Sequence, residues 1–220
     1  MTFKGIISDL DGVIVNTVKQ HFRSWRLMFA EYGVNLTFED YQKKLDGIPR
    51  QDGARNILPH FDETQIEAAS AKKQAYFLEE IRSGVQTYPP TVALFEELQQ
   101  RGIKLAAISS SKNCETILHS VGLYEMFLTV ITGNDVSRGK PDPQVFLMAA
   151  ERLGLSPSEC VVFEDANLGV EAAKRGGFRC VGIDRHNSPR LLAKADLIVE
   201  DLGEIGFDTL VRICESRTEA

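Results

Sequence analysis

The sequence predicts an α/β fold: a doubly wound parallel sheet interrupted by an inserted, all-helical cap domain. Three observations predict it. From residue 90 onward, short apolar runs alternate with helix-like stretches. Between about Thr17 and Gln86 that rhythm gives way to helical segments alone. Acidic, hydroxyl and basic residues recur where the apolar runs end.

The apolar runs are Gly5–Ser8, Ile103–Ser109, Leu128–Thr132, Cys160–Phe163, Arg179–Gly182 and Leu197–Val199. They are short and nearly continuous in hydrophobicity, as strands buried on both faces are. Helical stretches at Thr91–Arg101, Cys114–Val121, Pro143–Leu153 and Leu168–Arg175 separate them, and Gly102, Gly122, Gly154 and Gly176 close those helices. Such alternation builds a parallel sheet with helices on both faces, whose ligands bind at the carboxyl ends of the strands. The interrupting block reads as helices at Thr17–Tyr32, Thr37–Lys44, Gln51–Leu58 and Thr64–Ser83, the first with Val18, Phe22, Trp25, Met28 and Phe29 at helical spacing. The expected division is a catalytic core of residues 1–15 and 87–220 and a helical cap of 16–86, hinged near Val15–Thr17 and Gly84–Tyr88. A cap so tethered is expected to close over a site at the strand ends.

With 220 residues, 43% hydrophobic and 25% charged, the chain is long and apolar enough to bury a sizeable core. Its net charge of -6 provides no global positive field for nucleic acid or an anionic membrane, so neither is an expected partner. The four cysteines show no metal-binding spacing and are expected as free thiols. The apolar N-terminal stretch is too short, and too soon interrupted by acid, for a signal peptide or membrane span, so a cytoplasmic protein is expected. A monomer is the expected state, although an apolar cap face suits internal packing and dimerisation equally.

Asp9-Leu10-Asp11-Gly12-Val13 follows the first apolar run. Residues i and i+2 of an extended segment share a side, so Asp9 and Asp11 face one point, and Gly12 lets the backbone approach a ligand. In isolation the same pattern describes two solvated acids in a turn. Ser109-Ser110-Ser111-Lys112-Asn113 ends a second run and offers hydroxyls and N–H groups to a phosphate, or plain helix capping. Lys140, before Pro141, would by itself be a surface lysine. Glu164 and Asp165 end a run that reads as fully buried, where acids must be hydrogen-bonded, paired or metal-bound. Taken together, four carboxylates, a serine and a lysine at strand ends suit phosphoryl transfer: Mg²⁺ takes hard oxygen ligands, and a carboxylate nucleophile divides the reaction in two.

These segments, in order, resemble the four motifs of the haloacid dehalogenase superfamily over nearly the whole chain. The resemblance implies Asp9 as nucleophile, Asp11 as general acid/base, and Ser109 and Lys140 as ligands of the transferring phosphate. It also implies Mg²⁺ as cofactor, held by Asp9, Asp11 through its carbonyl, and Asp165, with Glu164 at or beside the metal. Thr17, His21 and Trp25 on the first cap helix, Gly47-Ile48-Pro49-Arg50, Ser110, Asn113 and a lysine of the Lys72-Lys73 pair are similar to the β-phosphoglucomutase-like phosphatases and phosphomutases. By that resemblance Arg50 and a cap lysine, Lys72 being the one assigned, grip a distal phosphate with Asn113 assisting. His21 links closure to proton transfer.

Three positions depart from the pattern: Asn16 replaces an acid, Pro49 sits inside the Gly-x-Ser-Arg-like turn, and Gly53 replaces a small hydroxyl. The expected activity is phosphoryl transfer on a small phosphorylated metabolite, a sugar phosphate above all. The leading reaction is β-glucose 1-phosphate to glucose 6-phosphate, with hydrolysis of a sugar phosphate as the alternative. A catalytically silent phosphometabolite-binding module is the remote third reading.

Overall fold

The computed structural model describes residues 3–45, 48–185 and 187–216. In chain order, β1 (Gly5–Asp9) and β2 (Val15–Asn16) precede four helices: α1 (Val18–Ala30), α2 (Phe38–Lys44), α3 (Arg50–Ile57) and α4 (Glu63–Arg82). Then follow β3 (Gln86–Thr87), α5 (Pro89–Gln100), β4 (Lys104–Ile108), α6 (Cys114–Ser120), β5 (Thr129–Ile131), α7 (Gln144–Leu153) and β6 (Cys160–Glu164). The chain continues through α8 (Asn167–Arg175), β7 (Arg179–Ile183), β8 (Leu197–Val199) and α9 (Phe207–Glu215). Residues up to Asn16 together with those from Gln86 onward form one compact unit, and Thr17–Val85 form a second.

The first unit is built on a parallel sheet in the order β5-β4-β1-β6-β7-β8. All five residues of β1 and of β6 are buried, as central strands of a doubly covered sheet must be. Ile7, Ile108, Val145, Phe146, Val162 and Phe178 lie in one core between the sheet and its helices. The order reverses at β1, with β4 on one side and β6 on the other, so the crevice at its carboxyl end falls beside Asp9. Two short antiparallel strands, pairing Val15 with Thr87 and Asn16 with Gln86, join the segments that leave and re-enter this unit. The sequence pattern did not predict this ladder, because two residues are too few to show a period. It also left α9 unassigned, although Leu210 and Ile213 bury its inner face.

The helical unit has its own core of Trp25, Met28, Phe29, Tyr41, Leu58 and Ile66, among others. Asp62 and Gln65 form a reciprocal capping box that starts α4. Thr37 caps α2 through the N–H of Asp40. All four cysteines are free thiols, three of them buried. Among the described residues no helix is long and apolar enough to cross a membrane.

Candidate active site

The site is set by how three strands end. Asp9 closes β1 and is 7% exposed. The chain then turns tightly: Ile14 and Val15 donate to the Leu10 carbonyl, and Gly12 N–H donates to the Val15 carbonyl at 2.9 Å. Gly12 takes φ +77°, and a Cβ there would lie 1.8 Å from Asp165 Oδ2. Glycine is therefore required twice, for its backbone conformation and for the carboxylate packed against its Cα.

Lys140 is carried in from the loop before α7. Gln144 Oε1 accepts from the N–H groups of Ser137 and Arg138, and Asp142 N–H donates to the Gly139 carbonyl at 3.0 Å. The Lys140 ammonium donates to Asp9 Oδ1 at 2.5 Å and to Glu164 Oε1. Glu164 is fully buried, and its other oxygen accepts from Ala166 N–H at 2.8 Å. A Cβ on Gly169 would sit 1.9 Å from Glu164 Oε1, so the carboxylate occupies a notch that only glycine leaves in α8.

The electrostatics reflect an excess of acid. Burial, then the charges of Glu164 and Asp11, push the Asp9 carboxyl up to about 7 against the opposing pull of Lys140. Burial and the charges of Glu164 and Asp9 raise Asp165 well above the ordinary carboxylate range. Burial draws the Lys140 ammonium down, but Asp9 and Glu164 outweigh it and hold its pKa above that of a free lysine. Protonation of the buried acids relieves this surplus, and so would a divalent cation.

Among the described residues no three His, Cys, Asp or Glu side chains form a ready metal cage. Mg²⁺ does not require one, since it commonly takes one or two carboxylates and fills its octahedron with water and substrate oxygens. The hard-oxygen set at Asp9, Asp11 and Asp165, whose charges help to raise one another's carboxyls, fits that ion. Glu164 adjoins that set and has two hydrogen-bond partners of its own. Lys140 donates to one of its oxygens and Ala166 N–H to the other, which places Glu164 beside the expected metal position with Lys140 between it and Asp9.

Ser109 follows β4, is 2% exposed, and accepts from Ser111 N–H at 3.0 Å. Ser110 is exposed beside it. Asn113 stands at the N-cap of α6, its backbone N–H and side-chain amide both donating to Ser111 Oγ. Ser111 therefore organises the turn, a role the run of three serines concealed.

In the helical unit, His21 stacks on Phe77 with ring centroids 4.1 Å apart. Its Nδ1 lies 2.9 Å from the ammonium of Lys73, which is 4% exposed. Burial, then the charges of Lys73 and Arg50, hold His21 well below the usual histidine range. The ring is accordingly neutral, with Nδ1 accepting and the proton on Nε2. Arg50 opens α3 and donates to Gln74 Oε1 at 2.5 Å. Of the Lys72-Lys73 pair, Lys72 is exposed and paired with Glu31, and Lys73 is the lysine beside His21. Helical periodicity distinguishes the two, since Lys73 falls in register with the buried Ser70 and Phe77.

Of the two roles open to Trp25, ligand contact and cap packing, the structure shows packing. It is 3% exposed, stacks on Phe29 and packs in the cap core. A Cβ on Gly53 would lie 2.9 Å from the Trp25 ring, which explains why no hydroxyl residue stands at that position. Thr17 is buried at the N-cap of α1, and Gly47 lies outside the described residues.

The sequence model of the haloacid dehalogenase-like hydrolases matches residues 6–183. The chain belongs to that family. Curated relatives of this member include validoxylamine A 7'-phosphate phosphatase of Streptomyces hygroscopicus subsp. limoneus, 30% identical over 92% of this chain and 96% of that protein. β-Phosphoglucomutase of Bacillus subtilis is also 30% identical, over 94% of this chain and 93% of its own length. Among solved structures, β-phosphoglucomutase from Clostridium difficile superposes with a TM-score of 0.82 at 26% identity, covering 97% of both chains. This haloacid dehalogenase-like protein is therefore an enzyme of the β-phosphoglucomutase-like phosphatase and phosphomutase kind.

Proposed function

We propose that this enzyme transfers the phosphoryl group of a sugar phosphate through Asp9, acting as a β-phosphoglucomutase that converts β-glucose 1-phosphate to glucose 6-phosphate. The observation that carries the reading is the Asp9–Lys140–Glu164 array, which holds a buried carboxylate oriented by a lysine at the sheet's switch point. An oxygen of Asp9 attacks phosphorus as the bond to the sugar oxygen breaks. Asp11, entering as the acid, delivers its proton to that leaving oxygen. In the second half the Asp11 carboxylate takes a proton from the incoming hydroxyl, whose oxygen binds phosphorus while the Asp9–phosphorus bond breaks. Lys140 and Ser109 hold the phosphoryl oxygens. Mg²⁺, held by Asp9, the Asp11 carbonyl and Asp165, would offset charge on the transferring group.

A mutase must also hold a second phosphate on its bisphosphate intermediate. Within the helical unit Arg50 and Lys73 carry positive charge suited to such a group, beside a His21 that is kept neutral. Hydrolysis is the second reading, supported by Asn16 and Pro49, which depart from the mutase-like pattern, and by a phosphatase among the relatives at 30% identity.

The test is a ³¹P NMR time course with Mg²⁺ and β-glucose 1-phosphate, primed with a trace of glucose 1,6-bisphosphate. Glucose 6-phosphate should appear faster than inorganic phosphate, and Asp9→Asn should abolish both products. Dominant inorganic phosphate selects the hydrolytic reading. Near-wild-type turnover by Asp9→Asn sinks the covalent mechanism.

A further inference from the structure

Arg185 lies beyond the end of β7, outside every motif that marks the site, yet its side chain reaches the loop that carries Asp11. Its Nε donates to the Gly12 carbonyl at 2.8 Å. Its Nη1 donates to the Glu200 carbonyl at 3.1 Å and to Asp201 Oδ2 at 3.2 Å. The guanidinium carbon sits 3.8 Å from the centroid of the Tyr88 ring. Its Nη2 is buried without a hydrogen-bond partner among the described residues. Here the fork is turned so that Nε meets Gly12.

The two peptides flanking Gly12 Cα are consequently both anchored, one through Gly12 N–H to Val15 and the other through the Gly12 carbonyl to Arg185. The next two carbonyls are held elsewhere in the same unit, Val13 by the Thr91 hydroxyl and Ile14 by Tyr88 N–H. Of these three tertiary anchors, Arg185 is the one nearest to Asp11. Tyr88 is close enough to Asp11 and Asp165 for their charges to act on its phenol, after burial and the opposing charge of Arg185. Through the Gly12 carbonyl the Arg185–Tyr88 stack is joined to the residue that follows Asp11.

We infer that Arg185 is a positioning residue that aims Asp11 at the leaving oxygen by fixing the Gly12 carbonyl. The inference rests on the reading of Asp11 as the acid in the first half-reaction. General acid catalysis matters most for a poor leaving group and least for a good one. The test therefore compares kcat/KM for an alkyl ester, glycerol 2-phosphate, with that for p-nitrophenyl phosphate. This parameter reports the steps through departure of the leaving group.

Arg185→Met should lower kcat/KM on the alkyl ester about 30-fold and on the aryl ester less than about 3-fold, a fraction of the usual general-acid contribution. Asp11→Asn should show the same selectivity more strongly. Arg185→Lys, which restores a donor but not the fork, should recover part of the loss on the alkyl ester. Equal losses on both esters, or no loss on either, would overturn the positioning role while leaving the functional reading intact. If Asp11→Asn itself shows no leaving-group selectivity, the acid assignment fails and the inference falls with it.

Discussion

Glu164 and His21 show how a side chain's neighbours decide its chemistry. Glu164 looks from its position like one more metal-binding acid. Complete burial between Lys140 and the start of α8 makes it the group that holds the lysine against Asp9. His21 could titrate near neutrality in water, but burial against Phe77 and the charge of Lys73 keep it neutral. Its folded pKa lies below the value of 6.5 for a free side chain, so the native state binds fewer protons than the unfolded state in that interval. The stability this contributes is present above the unfolded pKa and is lost as pH falls toward the folded one, at a limiting slope of about 1.4 kcal/mol per pH unit. Thermal melts from about pH 7.5 to 5.5 should fall more steeply for the wild type than for His21→Gln. Parallel slopes would contradict the neutral, buried imidazole.

At the scale of elements, the sheet places the chemistry and the glycines make room for it. Strands β1 and β6 run parallel and adjacent, so their terminal acids emerge at one end. The first turn of α8 closes over Glu164 with Gly169 in contact. Gly169→Ala forces the new methyl into the carboxylate, and overpacking of this kind destabilises by roughly 2 kcal/mol. It should also lower kcat, because Lys140 loses its register with Asp9, whereas a purely local defect would lower the melting temperature and spare turnover. Paired melting and rate measurements separate the two outcomes. The helix boundaries were legible where capping chemistry is local. Gly154 after α7 carries it, whereas the start of α5, read at Thr91, lies two residues earlier at Pro89. The start of α4 was read one residue late, at Thr64 instead of Glu63, because the capping acid Asp62 is followed by further polar residues before the apolar spacing begins.

On the scale of the molecule, the chain leaves the sheet-bearing unit after β2 and returns at β3, and those strands pair with each other. The carboxyl edge of the main sheet gathers Asp9, Glu164 and Asp165 near Lys140, and together with Asp11 these acids push up the carboxyls of Asp9 and Asp165. A ligand that binds only the folded state stabilises the whole fold, by about 2.7 kcal/mol at a hundredfold excess over its dissociation constant. Saturating Mg²⁺ should therefore raise the melting temperature by several degrees, and Asp165→Asn should remove most of that increase. An undiminished shift in the variant would place the ion elsewhere.

The sequence alone determined the α/β class, the interrupting helical block and the segments bearing Asp9, Asp11, Ser109, Lys140, Glu164 and Asp165. Hydrophobic period, capping residues and acids at the ends of apolar runs are local signals, and a local signal survives in one dimension. Only the tertiary structure decided that Glu164 serves Lys140, that Lys73 and not Lys72 meets His21, that Trp25 packs against Gly53, and that Arg185 reaches Gly12. Each of those depends on which atoms share a buried space, and residues far apart in sequence leave no mark of that on one another until the sheet brings their ends together.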